Sequence, residues 1–130
     1  MRIGFTGTRK GMTAKQKDSL LRILTEYRPS EFHHGDCLGA DAEAHSITQT
    51  HCTTARVIIH PPTNPAQRAF CHGDGYRVGK EYLARNRDIV DESDMLVAAP
   101  ETREEHQRSG TWATIRYARK RSMAVVVLEP

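Results

Sequence analysis

Twelve consecutive residues, HGDCLGADAEAH from His34 to His45, hold two histidines, a cysteine, two aspartates and two glycines. Three chemistries use such residues. A metal centre needs several ligands converging on one point. His34, Asp36, Asp41 and His45 supply the residue types, but no familiar ligand spacing appears, so no metal is assigned. A phosphate cradle needs glycines that admit a ligand to the backbone and helix amides that face it. Gly35 and Gly39 fit that role, with Asp36 and Asp41 suited to ribose hydroxyls or a base edge. A plain strand-to-helix turn needs only a brace from Asp41, with His45 on the helix surface.

Three further segments carry similar chemistry. TGTRKGMT places Gly7 where a strand ends, then Thr8, Arg9 and Thr13 near the start of a helix. Such an end attracts anions, and an arginine there grips phosphate bidentately. RSGTWATIRYA repeats the pattern with Ser109, Gly110 and Thr111, and Trp112 suits either base stacking or the core. Arg85, Asn86 and Arg87 stand together near the start of another helical stretch. Adjacent arginines do not share a helix face, so only one points into a site. The G-x-G-x-x-G dinucleotide fingerprint is absent, and no cofactor is called for.

The elements that must position these residues alternate. RIGFT is a short strand, and Thr13 to Glu26 reads as a helix with Thr13 and Gln16 at capping-box spacing. EFHHG, ARVIIH, DMLVAAP and MAVVVLEP read as further strands. Ala40–Thr50, Glu81–Glu92 and Thr111–Arg121 read as helices. The pattern predicts an α/β, Rossmann-like, doubly wound sheet of about five mainly parallel strands with helices on both faces. Ligands of such sheets bind outside the carboxyl ends of the strands. The segments after strands one to four, PPTN after the third among them, open on that edge. Residues 61–79 form a long irregular connection, a candidate cover for the site.

Composition narrows the class. The 130 residues make one domain, with 38% hydrophobic and 27% charged residues, ordinary for a soluble protein. A formal charge of +3 permits a phosphate-bearing partner without demanding one. With 6% aromatic residues the chain is a weak platform for single-stranded nucleic acid. Three cysteines without a C-x-x-C pair suggest neither a disulfide framework nor a zinc ribbon. Met1 leads straight into a strand, and no apolar run approaches membrane length. A cytoplasmic protein with no membrane partner is expected.

Taken in order, these motifs resemble the SMF/DprA and LOG (SLOG) superfamily of Rossmann-like nucleotide-binding domains. DNA-processing protein A is the nearest pattern. Its G-[ST]-R-x-x-[ST] matches GTRKGMT. Its S-G-G-A-x-G-I-D-x-x-A-H matches HGDCLGADAEAH at the second Gly, the Asp, the Ala and the His. Its R-N-R matches Arg85-Asn86-Arg87, and its S-G-[ST]-x-x-T-x-x-x-A matches SGTWATIRYA. The resemblance implies a pocket for a nucleotide or phosphoribosyl-containing small molecule, lined by the residues above, and a homo-oligomer. The phosphoribohydrolases of the superfamily carry P-G-G-x-G-T-x-x-E, whose Glu falls at Thr114 here. Loss of that carboxylate argues for a binding module, as a nucleotide-signal sensor or defence-related protein. The alternative is an N-glycosidase acting on nucleoside monophosphates, which needs another carboxylate: Asp36, Asp41, Glu101, Glu104 or Glu105. Single-stranded DNA binding is a third reading, by analogy with DNA-processing protein A.

Overall fold

A computed structural model describes all 130 residues. Six strands form one parallel sheet: β1 (Arg2–Gly7), β2 (Glu31–His34), β3 (Arg56–Ile59), β4 (Gly75–Tyr76), β5 (Met95–Ala99) and β6 (Ala124–Val127). Their order across the sheet is β4-β3-β2-β1-β5-β6. Four helices connect them: α1 (Ala14–Tyr27), α2 (Ala40–His51), α3 (Tyr82–Asp91) and α4 (Gly110–Lys120). The expected Rossmann-like α/β architecture is present. Its sixth strand, β4, is two residues long and lies inside the connection read as irregular. Two residues carry no hydrophobic period to detect.

Strand patterning separates the two faces of the sheet. Ile3 and Phe5 of β1 and Phe32 of β2 point to one face, where they pack with Leu20 and Leu24 of α1 and Ala40 and Ala44 of α2. Leu96 and Ala98 of β5 point to the other, against Val90 of α3 and Ala118, Trp112 and Ile115 of α4. Alternate residues of a strand leave on opposite sides, so one short sequence feeds both layers. The capping box at Thr13 and Gln16 forms in both directions, each bond 3.0 Å. The Gln16 amide also donates to the carbonyls of Pro100 (2.8 Å) and Leu128 (3.1 Å). It thereby fixes the start of α1 against the ends of β5 and β6. No helix is long and apolar enough to cross a membrane.

The connection 61–79 is fastened to the β2–α2 loop. Leu38 N–H donates to the Gln67 carbonyl (3.3 Å) and Ala69 N–H to the Asp36 carbonyl (2.8 Å). The fully buried Asp36 carboxylate accepts from Arg68 Nε and the Cys71 amide, both at 2.9 Å.

Candidate functional site

Strand order reverses between β1 and β5. From β1 the chain builds outward through β2, β3 and β4, then returns to place β5 and β6 on the other flank. The loops leaving β1 and β5 therefore diverge, and a crevice opens at their carboxyl ends. A cleft of about 720 Å³ lies there, within the usual range for small-molecule sites.

The wall from β1 carries Gly7, Thr8, Arg9 and Lys10. The opposite wall is the loop from β5 and the start of α4, with Glu101, Thr102, His106, Arg108, Ser109, Gly110 and Thr111. Ser109 caps α4, its Oγ accepting from Trp112 N–H (3.2 Å) while its carbonyl accepts from Ala113 N–H (3.0 Å). The amides of Gly110 and Thr111 precede any intrahelical acceptor and have no bond within the protein. They lie at the positive end of the α4 dipole, on the cleft. Arg9 and Arg108 add charge that no carboxylate neutralises, whereas Lys10 pairs with Glu101 at 2.8 Å.

The floor holds two buried charges. Arg85, 4% exposed, donates through Nη1 to the carbonyls of Gly35 (2.6 Å) and His60 (3.2 Å), and through Nε to Asn86 Oδ1 (2.7 Å). Asp41, 5% exposed, accepts from the amides of Gly35 and Cys37 through Oδ2, both at 3.2 Å. Its Oδ1 has no partner. Burial lifts the Asp41 carboxyl to about 6, against the opposing pull of Arg85 and the two amides. The carboxyl as a whole lines the cleft, and its enclosed, unsatisfied oxygen is a seat for a proton.

The cleft brings together Gly7, Thr8, Arg9, Asp41, Arg85, Asn86, Ser109, Gly110 and Thr111 among the residues singled out from sequence. Five others lie elsewhere. Thr13 is committed to its helix cap. Asp36 is consumed by Arg68 and Cys71. The space at Gly35 is filled by Arg85 and Asp41, not by a ligand. Gly39 has φ +88 and presses against the Arg9 carbonyl, a close approach a side chain would block. Trp112 packs with Ala98 and Ile115 in the core. His45, expected on the helix surface, is buried and bonds His34. The PPTN segment contributes nothing to the lining, although Gln67 from the same connection does. Thr114, at the position of the hydrolases' glutamate, bonds the Gly110 carbonyl of its own helix (2.9 Å). Of the two arginines flanking Asn86, Arg85 enters the cleft and Arg87 lies over the Tyr117 ring.

Sequence reading missed Tyr82, Lys10, Arg108 and Gln67. Lys10 and Arg108 stood in loops already singled out, and their charge was the available signal. Tyr82, 40% exposed, sits in the first turn of α3 with its ring edge against Gly110. Only the tertiary fold places it there.

Beside the cleft, His34, His45 and Cys71 bring ligand-type atoms within 4.8 Å of one another. Their proton inventory opposes an ion. Asp36 N–H donates to His34 Nδ1 (3.0 Å), so the neutral ring carries its proton on Nε2. That nitrogen then donates to His45 Nδ1 (2.9 Å). Both nitrogens of His34 are used, and burial holds its pKa well below the usual imidazole value.

No family profile and no curated protein sequence matches the chain. Solved structures do. A molybdenum cofactor binding protein from Rippkaea orientalis superposes with TM-score 0.73 at 18% identity, over 97% of this chain and 74% of that one. DNA processing protein A from Streptococcus pneumoniae gives 0.70 at 18% identity, over 97% of this chain and 49% of that one, so this chain spans about half its length. A structural-genomics target, TM1055, gives 0.69 at 15% identity, over 95% and 71% of the two chains. What the chain shares with all three is the fold, a Rossmann-like parallel α/β sheet, with DNA processing protein A among its structural neighbours.

Proposed function

We propose that the cleft binds a nucleotide-derived, phosphate-bearing small molecule. One observation carries the reading: the free amides of Gly110 and Thr111 and the unneutralised Arg9 and Arg108 share a cleft with the carboxyl of Asp41. Phosphate suits the first set, and a ribose hydroxyl or base N–H suits the second. Two structural neighbours, one a molybdenum cofactor binding protein and one a DNA processing protein, support a ligand of this kind. The role that fits is a binding module, a sensor of a nucleotide signal, cytoplasmic and homo-oligomeric. Calorimetry against nucleoside monophosphates and diphosphates, ribose 5-phosphate and inorganic phosphate tests it. Binding with a dissociation constant of about 1 mM or tighter supports it, and no heat from any of them removes it.

Asp41 favours a second reading, hydrolysis of the N-glycosidic bond of a nucleoside monophosphate. With its pKa raised to about 6, the carboxyl is tuned toward general acid or base work near neutral pH. Glu101 is the other candidate carboxylate on the cleft, held by Lys10. Free base released by the wild type and not by Asp41→Asn would establish this activity. Equal release by both would take the role from Asp41.

A further inference from the structure

On the face of the sheet opposite His34, four side chains form a line. His33 Nε2 lies 2.8 Å from Glu31 Oε1, and His33 Nδ1 lies 2.9 Å from His60 Nε2. His60 Nδ1 lies 3.9 Å from Glu92 Oε2 and has no hydrogen-bond partner. Both histidines are 1% exposed.

Protons can be counted along this line. It has three gaps, each needing one proton, and two neutral imidazoles supply two. The carboxylate of Glu31 requires the proton of His33 on Nε2. His33 Nδ1 is then a bare acceptor, so the proton of His60 must sit on Nε2. The lone pair of His60 Nδ1 is left facing the carboxylate of Glu92, two acceptors with no donor between them. The reverse assignment moves the same conflict to Glu31. Either way the array is one proton short.

We infer that His33, His60 and Glu92 form a buried site for a single proton, taken up at Nδ1 of His60, which closes the bond to Glu92 and acts on the cleft through Arg85. The uptake balances simply: one proton from solvent, one new N–H donated to Glu92, one positive charge shared by the two rings. The site is built to move little else. Glu92 is gripped by Arg77 through Nη2–Oε1 (2.6 Å) and Nε–Oε1 (2.9 Å). The groups facing the pair are Glu31 and Arg56 from β2 and β3, Arg77 after β4, and Asp88 and Glu92 from α3, with Lys80 on Asp88. Their charges nearly cancel, so burial dominates and holds both imidazoles below their ordinary value, His60 at about 4.

The link to the cleft is short: one hydrogen bond and one helix. The His60 carbonyl accepts from Arg85 Nη1, and Glu92 caps the helix that carries Arg85. Drawing His60 toward Glu92 shifts the carbonyl on which the floor arginine rests. This regulatory step rests on the ligand reading above; the proton site does not.

Nitrogen-15 NMR of the imidazoles, recorded from about pH 7.5 to 3 on the intact protein, reads the site without any ligand. The expected result has His60 Nδ1 bare and Nε2 protonated at neutral pH. The pair then takes up one proton at that Nδ1, with a midpoint well below 6.5. In Glu92→Gln the side-chain amide donates to Nδ1 without a proton, so the midpoint of His60 falls further. Two independent titrations near the ordinary imidazole value, or an unchanged midpoint in Glu92→Gln, would overturn the site. So would a stoichiometric transition metal, found by elemental analysis, that keeps Nδ1 from titrating. Melting curves of both proteins confirm that the folded state is being read. With AMP as probe, affinity in the wild type should change between about pH 7 and 4.5 by about fivefold more than in Glu92→Gln. Equal changes in both would overturn the coupling and leave the proton site standing, whereas absence of AMP binding at any pH counts against the ligand reading.

Discussion

Asp36 and Asp41 leave the same loop, five residues apart, and both are buried. Their circumstances are opposite. Asp36 adopts φ +55 and gives both oxygens to the connection 61–79, to Arg68 and the Cys71 amide. Asp41, which lines the cleft, gives one oxygen to the amides of Gly35 and Cys37 and keeps the other buried and unpartnered. A satisfied buried carboxylate holds structure, and an unsatisfied one marks a place where something else belongs. The histidines repeat the lesson on adjacent residues of one strand. The His34–His45 pair has its protons placed, while His33–His60 is one short.

The largest test of the contrast is Asp36→Ala. Removing one partner of a buried ion pair strands Arg68 and the Cys71 amide, at a cost of about 3 kcal/mol. The partial exposure of Arg68 keeps it at the low end of that range. Chemical denaturation should show the loss, and folded variant should keep its ligand affinity. Affinity lost with stability intact would place Asp36 in the site after all.

Asp41→Asn should act the other way round. Asn keeps an acceptor for the Gly35 and Cys37 amides and removes the charge. In the wild type the carboxyl binds its proton more tightly folded than unfolded, its pKa rising from 3.8 to about 6. The stability it contributes is fully present below about pH 4 and is lost as pH rises through about 6. The shift corresponds to about 3 kcal/mol at most. Measured from pH 4 to 7, the variant should gain on the wild type by up to that amount while binding ligand at least about tenfold more weakly. A pH-independent difference would contradict the burial of that charge.

His45→Ala leaves the Nε2 proton of His34 without an acceptor, which should cost about 1–3 kcal/mol. Added zinc should restore none of the melting temperature of this variant, nor raise that of the wild type. A rise in the wild type would return the cluster to the metal reading. The smallest effect belongs to Glu101→Gln. Its ion pair with Lys10 is largely exposed, so stability should barely change. Anion affinity should rise modestly at low salt as Lys10 is released, an effect that added salt erases.

The histidines also set the acid limit of the fold. His33, His34, His45 and His60 all have lowered pKa values, first because of burial. Their neutral forms contribute stability that is present above about 6.5 and lost as pH falls below it.

Much of the fold was legible because its signals are local. Thr13 and Gln16 announced the start of α1, and the Val-rich run of β6 and the alternation of strands and helices announced a parallel sheet. β4 was not legible because Gly75 and Tyr76 form a strand only by pairing with Ile58 and Ile59. In the site, loop chemistry named Gly110, Arg9 and Asp41. It could not separate Asp36 from Asp41, because the difference is made by Arg68, thirty-two residues away. Nor could it see that Gly35 makes room for Arg85, or that Tyr82 meets Gly110, since both contacts exist only after α3 crosses the sheet.

The central claim is that the open end of α4 holds the ligand's phosphate, and Gly110→Pro tests it most directly. Proline is tolerated at the first position of a helix, and Ser109 before it already has the extended backbone that proline requires, φ −77 and ψ 125. The substitution removes one free amide facing the cleft and little else. Calorimetry against the tightest-binding member of the nucleotide panel should show a melting temperature near that of the wild type and an affinity about tenfold weaker or worse, since a charge-assisted bond is lost. Unchanged affinity in a folded Gly110→Pro protein would mean that the phosphate does not sit on α4, and the account of the cleft would fail.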